Sequence, residues 1–184
     1  PKIRINKEYE ALAKKITSKK DIEYVKSNLQ DAKFFLKALQ NRNITILKVG
    51  QTIMKKQINF LNKGESAMLP LRLKDIAQEI GMHESTISRC TNKKYIQTSR
   101  GTYEMKYFFS SEIKTKFGAA ASSRSVKSLL RDIIASEDPK SPLSDIQIAE
   151  NLAKNGFKIA RRTITKYRES LSIPPSNERK NLAK

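Results

Sequence analysis

One cysteine, one histidine and no tryptophan leave little material for several kinds of chemistry. A lone cysteine excludes an intrachain disulfide, and one histidine beside it cannot build an ordinary His/Cys metal site, so neither metal nor cofactor is expected. A reducing cytoplasm suits such a chain. No run of about 18 apolar residues occurs, which argues against a membrane-spanning helix, and the first residues lack the apolar core of a signal peptide. The chain starts at Pro1 rather than methionine, as a piece of something longer would. Acidic residues are scarce: 18 Asp and Glu face 37 Lys and Arg, a formal charge of +19. Such an excess needs a counter-charge, and nucleic acid is the leading candidate, although ribosome-like and membrane-surface proteins share this balance. The 184 residues suffice for one ordinary domain or for two to three small ones.

What is present is mostly helix-periodic. From Asp21, an N-cap candidate, Ile22, Val25, Leu29, Ala32, Leu36 and Leu39 recur at steps of three and four and form one stripe, widened by Phe34 and Phe35. A second helix is expected after Asn43, with Leu47, Met54, Ile58 and Leu61 on one side, Ile46, Val49, Ile53 and Phe60 beside them, and Gly64 as a stop. With a shorter amphipathic start at Tyr9 to Ile16, these predict a helical bundle over residues 1–65, a packed core with a solvated basic face.

In LKDIAQEIGMHESTISR, Ala77 is followed by Gly81 four residues later, and Gly81 by Ile87 six residues later, with Ile76, Ile80 and Met82 apolar. A helix-turn-helix needs that spacing. A small residue lets two helices cross, a glycine takes positive φ in the turn, and a branched apolar residue locks the second helix down. The second helix would present Glu84, Ser85, Ser88 and Arg89 outward, where they can meet base edges or phosphates. His83 reads as a helix-start residue and Cys90 as a small packing group. The period then changes: Tyr95, Gln97, Tyr103, Met105 and Tyr107 alternate with polar residues around Ser99-Arg100-Gly101, a turn between two short strands. This predicts a winged helix-turn-helix over residues 66–117, with Lys93, Lys94, Arg100 and Lys106 charging the wing. Between Arg89 and Lys116, seven cations and two anions leave a net +5, which favours phosphate binding. Tyr107, Phe108 and Phe109 are either core or a stacking platform, with core favoured.

Residues 118–125, Gly-Ala-Ala-Ala-Ser-Ser-Arg-Ser, have no apolar period and read as a flexible linker. Beyond it, residues 126–184 predict a small three-helix helix-turn-helix domain. Val126, Leu129, Leu130, Ile133 and Ile134 give the inward face of one helix, ended by Pro139. Ser144 and Gln147 form a capping box for the next, with Ile148, Ala149 and Leu152 inward and Asn155-Gly156 closing it. ARRTITKYRE, Ala160 to Glu169, is the third helix, in the place of a recognition helix. Ile164, Tyr167 and Leu171 would pack inward together with Ala160, leaving Arg161, Arg162, Thr165, Lys166, Arg168 and Glu169 exposed. Arginines at a helix start oppose its dipole, which makes sense if they reach into a groove, where an arginine fork pairs with guanine O6 and N7. From Phe157 to Lys184 there are eight cations and two anions, and Lys158, Arg179 and Lys180 join the expected DNA-binding set.

ARRTITKYRE resembles the ten-residue signature, the RpoN box, of the bacterial sigma-54 (sigma-N) family of RNA polymerase sigma factors, with Ile164 and Thr165 where valine and alanine are usual. The resemblance extends to His83-Glu-Ser-Thr-Ile-Ser-Arg89, Lys94-Tyr-Ile-Gln-Thr98, Lys106-Tyr-Phe-Phe-Ser-Ser111, Pro142-Leu-Ser-Asp145 and Leu171-Ser-Ile-Pro-Pro175, most of the chain in one order. It implies a mainly α transcription initiation factor in the bacterial nucleoid, a monomer and not an enzyme. Its first bundle would bind core RNA polymerase, its winged unit the downstream GC promoter element, and its last unit the upstream GG element. In the family these lie roughly 12 and 24 base pairs before the start site, about one helical turn apart, so one chain can meet both on the same face of duplex DNA. The glutamine-rich segment that engages the AAA+ activator has no counterpart in these residues. The resemblance therefore implies promoter and polymerase binding without activator-dependent opening, and activator contact only in the full-length protein.

Two other readings stand beside it. A tandem helix-turn-helix regulator would use both DNA-binding units without affinity for polymerase. A tyrosine recombinase would need several arginines and a histidine or lysine converging on a tyrosine such as Tyr167, yet Tyr167 falls on the inward stripe and His83 belongs to another unit.

Overall fold

The computed structural model describes residues 3–13, 17–114 and 120–182. The chain is mainly helical, and its contacts divide it into two segments, residues 1–48 and 49–184.

In the first segment, helix α1 (Lys7–Ala13) precedes the start of α2 (Lys19–Lys56); Ile16 lies outside the described residues. Ile22, Val25, Leu29, Ala32, Leu36 and Leu39 are all half-buried, as the stripe predicts, and a groove there is lined mainly by apolar side chains, among them Ile3, Tyr9, Val25, Leu29, Phe35 and Leu36. The packed core expected around Phe34 and Phe35 is not found: both are exposed, as are Tyr24, Ile44 and Leu47. The expected break near Asn43 is also absent, because α2 runs unbroken to Lys56. Asn41-Arg42-Asn43 carries no glycine or proline, and asparagine costs a helix only about 0.7 kcal/mol relative to alanine. Thr45 further closes the turn by donating its hydroxyl to the Asn41 carbonyl at 2.9 Å.

In the second segment, the end of α2 and α3 (Ile58–Lys63) bury Val49, Ile53 and Phe60. At Gly50 a Cβ would stand 3.1 Å from Met105 Cε, so the missing side chain lets α2 approach closely. The fully buried Gln57 clamps the loop that follows: its amide donates to the Leu69 carbonyl at 2.8 Å and accepts from the Leu69 N–H at 3.1 Å. Helices α4 (Leu73–Ile80) and α5 (Glu84–Thr91) pack through Ile76, Ala77 and Ile87, all buried. Gly81 between them has φ 69° and ψ 38°, and the Met82 N–H returns to the Ala77 carbonyl, the left-handed ending that only glycine adopts without strain.

Strands β1 (Tyr95–Thr98) and β2 (Gly101–Glu104) form an antiparallel hairpin, Tyr95 opposite Glu104 and Thr98 opposite Gly101. The second strand stops before the expected Met105 and Tyr107, which lie in a 3-10 turn, Met105–Phe108, that plunges Met105 and Phe108 into the core. Phe60, Tyr103, Tyr107 and Phe108 meet edge-on or tilted with centroids 4.9–6.4 Å apart, so Tyr107 and Phe108 belong to the core rather than to a stacking platform, while Phe109 is half-buried.

Strand β3 (Glu112–Lys114) pairs antiparallel with β4 (Ala120–Ser122), and helix α6 (Ser123–Ala135) starts at once, capped by the Ser122 hydroxyl. The linker expectation therefore fails over residues 120–125, where Ser122 and Ser125 are buried; residues 118–119 lie outside the described residues. Helices α7 (Asp145–Lys154), α8 (Arg161–Ser170) and α9 (Ser176–Leu182) follow, with Val126, Leu130, Ile148, Leu152 and Ile164 forming the core of this part. The Ser144–Gln147 capping box is present, and Gly156, at φ 89°, turns the chain after α7.

Candidate nucleic-acid interface

Helix α8 begins without a side-chain cap at Ala160, and Arg161 and Arg162 are exposed in its first turn. With no side-chain cap and no acidic residue in that turn, the helix start is electropositive. Ile164 is fully buried, while Tyr167 and Leu171 are half-buried, so the predicted stripe anchors the helix. Lys166 is exposed beside them, and so are Lys158 and Lys180. Ala160, expected inward, is exposed, because as the N-cap it stands outside the helical period.

Arg168 is the main correction. It was expected on the outer surface, but its side chain is 6% exposed and grips Asp145 with two prongs, Nε to Oδ1 at 3.0 Å and Nη2 to Oδ2 at 3.3 Å. Its Nη1 donates to the Ile173 carbonyl at 2.8 Å. Thr165 is likewise turned from the solvent, donating its hydroxyl to Asp145 Oδ2 at 2.8 Å. Burial alone would raise the Asp145 pKa, but the hydrogen bonds from Arg168 and Thr165 and the Arg168 charge together hold it below the usual carboxylate range. Arg179 is also structural rather than outward-facing: it pairs with Glu137 at 2.6 and 3.0 Å and donates to the Pro174 and Leu143 carbonyls. Arg168 fastens the end of α8 to the start of α7 and Arg179 fastens α9 to the connection between α6 and α7, so the outward charge of α8 is carried by Arg161, Arg162 and Lys166.

On α5, Glu84, Ser85, Ser88 and Arg89 are exposed. His83 caps the helix, its Nδ1 2.8 Å from the Ser85 hydroxyl and accepting from the Ser85 N–H. Arg100, at the hairpin tip, is exposed, but its guanidinium donates to the Leu61 carbonyl at 2.9 Å and to that of Asn62 at 2.5 Å. Lys93 and Lys106 are exposed nearby. A cavity of about 710 Å³ opens beside α5, lined among others by Ser88, Arg89, Lys106, Tyr107 and Arg124.

Two cations of α6, outside its inward apolar stripe, also belong to this region. Arg124 lies over the Tyr107 ring, 4.0 Å from its centroid, and Lys127 lies over the Tyr167 ring at 5.2 Å. Burial, then the positive charges of Arg124 and Lys166, lower the Lys127 pKa, so Arg124, Lys127 and Lys166 form a cationic group joining α6 to α8. The Tyr167 phenol is pushed up by burial, away from what an attacking nucleophile needs. Among the described residues, no three His, Cys, Asp or Glu side chains gather as a metal site would. No described helix is long and apolar enough to cross a membrane.

The family described as "Sigma-54, DNA binding domain" matches residues 22–181. Over 182 residues the chain is 50% identical to the RNA polymerase sigma-54 factor of Azotobacter vinelandii and 47% identical to that of Escherichia coli K12. These alignments take in 99% of this chain but 36% and 38% of the relatives, so the chain spans little more than a third of their length. Among solved structures, Aquifex aeolicus sigmaN bound to promoter DNA is similar, with a TM-score of 0.61 and 38% identity, across 96% of this chain and 53% of that one.

Proposed function

Because the chain belongs to the sigma-54 family of RNA polymerase sigma factors and carries its DNA-binding domain, we propose that it binds promoter DNA with two readers. Helix α8, in residues 126–184, takes the upstream GG element. Helix α5 and the β1–β2 wing, in residues 66–117, act as a winged helix-turn-helix on the downstream GC element, about one helical turn away. The carrying observation is the exposed, uncapped start of α8, with Arg161 and Arg162 outward on a helix whose other arginine is locked inward. Arg161 and Arg162 suit guanine edges, Lys166 and Lys158 suit phosphates, and Ser85, Ser88 and Arg89 serve the downstream element. The solved relative's promoter DNA supports this reading.

The first 65 residues are proposed to bind core RNA polymerase. The exposed Tyr24, Phe34, Phe35, Ile44 and Leu47 on α2 support that, since so many large apolar side chains left in solvent favour a partner's surface. Footprinting tests the DNA reading: a duplex with both elements should show two protected tracts, and a half-site only one. Protection that ignores the GG sequence would overturn it. Retention of core polymerase by the immobilised chain tests the rest, and its absence would favour a DNA-binding regulator without polymerase affinity.

A further inference from the structure

Nothing in the family match says how the two readers are held relative to each other. We infer that they are docked into one rigid body by a clasp of Arg124, Tyr107, Glu65 and Arg131, and that this clasp sets the element spacing the chain accepts; the inference rests on the two-reader proposal above.

Arg124 and Arg131 are seven residues apart on α6 and so share a face two turns long. Arg124 covers the Tyr107 ring, and Arg131 Nη1 stands 3.6 Å from Glu65 Oε2. The Tyr107 hydroxyl donates to the other Glu65 oxygen, so one carboxylate joins both arms of the clasp. Burial first, then the Glu65 bond, raises the Tyr107 pKa, which keeps the phenol protonated as that donor. Tyr107 is itself wedged against Phe60, Tyr103 and Phe108, so α6 grips the core of the winged unit rather than a mobile surface group.

The backbone ties the same two parts together. The Ser123 N–H donates to the Ser111 carbonyl at 3.0 Å, and β3 pairs with β4 from Glu112↔Ser122 to Lys114↔Ala120. Ile113 and Ala121, facing across that ladder, pack on the core built by α6, α7 and α8. The chain leaving the winged unit is thus paired to the strand that enters the last unit. A flexible tether would make none of these contacts.

Docking fixes both the separation and the rotation of α5 and α8. Each base pair added between two DNA elements moves one by roughly 3.4 Å and turns it by roughly 34° about the axis. A rigid pair of readers meets one such arrangement, and at any other spacing one reader must release; a tethered pair would follow the change.

The test uses the full chain, fluorescence anisotropy at fixed salt, and duplexes with matched spacing, one base pair more, one fewer, and each half-site alone. The native chain should prefer the matched duplex by at least about tenfold, because only there do both readers bind at once. The double substitution Glu65→Ala, Arg131→Ala, which removes the carboxylate shared by both arms, should narrow that preference to within about threefold, while the ratio of half-site to scrambled binding stays put. Equal affinity of the native chain for all three spacings, or undiminished preference in the variant, would overturn the clasp. Half-sites that fail to outcompete scrambled duplex would instead overturn the two-reader premise.

A second measurement does not depend on the variant folding. Spin labels at Asn92 and Asn155, in a Cys90→Ser background, should give one narrow distance in the DNA-free protein that matched DNA leaves unchanged. A broad distribution in the free protein would contradict docking.

Discussion

Arg168 and Asp145 are joined by two parallel hydrogen bonds that link the end of α8 to the start of α7 across 23 residues of chain. The pair sits where a third outward arginine was expected, and it turns the helix from a uniformly basic rod into an anchored one. Removing one partner of a buried pair leaves the other charged and unsatisfied. Arg168→Ala should therefore cost about 3–5 kcal/mol of stability, read from urea unfolding. A midpoint within error of the native one would show that the pair contributes nothing.

Acid should weaken the same joint. The folded-state pKa of Asp145 is depressed, so its contribution is complete above the ordinary carboxyl value of 3.8 and is lost as pH falls through the lower folded value. Thermal melts should change little between about pH 7 and 5 from this source and fall below about pH 4. Asp145→Asn should remove that part of the acid limb; an identical limb in the variant would assign acid loss to other groups.

Gln57 is a buried polar side chain whose amide satisfies both the N–H and the carbonyl of Leu69. Gln57→Leu keeps the volume but strands two backbone groups, at about 1–3 kcal/mol each. Hydrogen exchange should locate the loss in the loop after α3. Unchanged protection of the Leu69 amide would mean that water replaces the glutamine.

With a formal charge of +19, DNA binding should be steeply salt-dependent. If six to ten phosphates are neutralised, affinity should drop by roughly 10³ to 10⁵ between 50 and 200 mM salt. A flat titration would contradict an interface built on Arg161, Arg162, Lys166 and Lys158.

Local signals were legible in the sequence and distant ones were not. Ser144 and Gln147 announce a capping box three residues apart, and Ala77, Gly81 and Ile87 mark a helix crossing at short range; both stand in the structure. The inward places of Ile164 and Tyr167 follow from helical period alone. Arg168 lies four residues after Ile164 and so also falls on that face, but only Asp145, on another helix, makes a buried arginine tolerable. Arg179 is the same case, with its partner Glu137 42 residues away. Asn43 looks like a helix start because asparagine favours caps, yet two asparagines flanking Arg42, a good helix former, do not interrupt a long helix. Ala120 to Ser125 looked like a tether because it lacks apolar period, whereas β3 supplies it with a partner strand.

Whether α8 reads bases is decided by Arg162→Ala. Affinities of the native chain and the variant are measured on duplexes carrying the GG element and on duplexes with that element scrambled, at one salt concentration. The variant should lose about 1–3 kcal/mol of discrimination between the two while binding scrambled DNA almost as well as the native chain does. Equal weakening on both duplexes would reduce Arg162 to a phosphate contact and contradict base reading by α8.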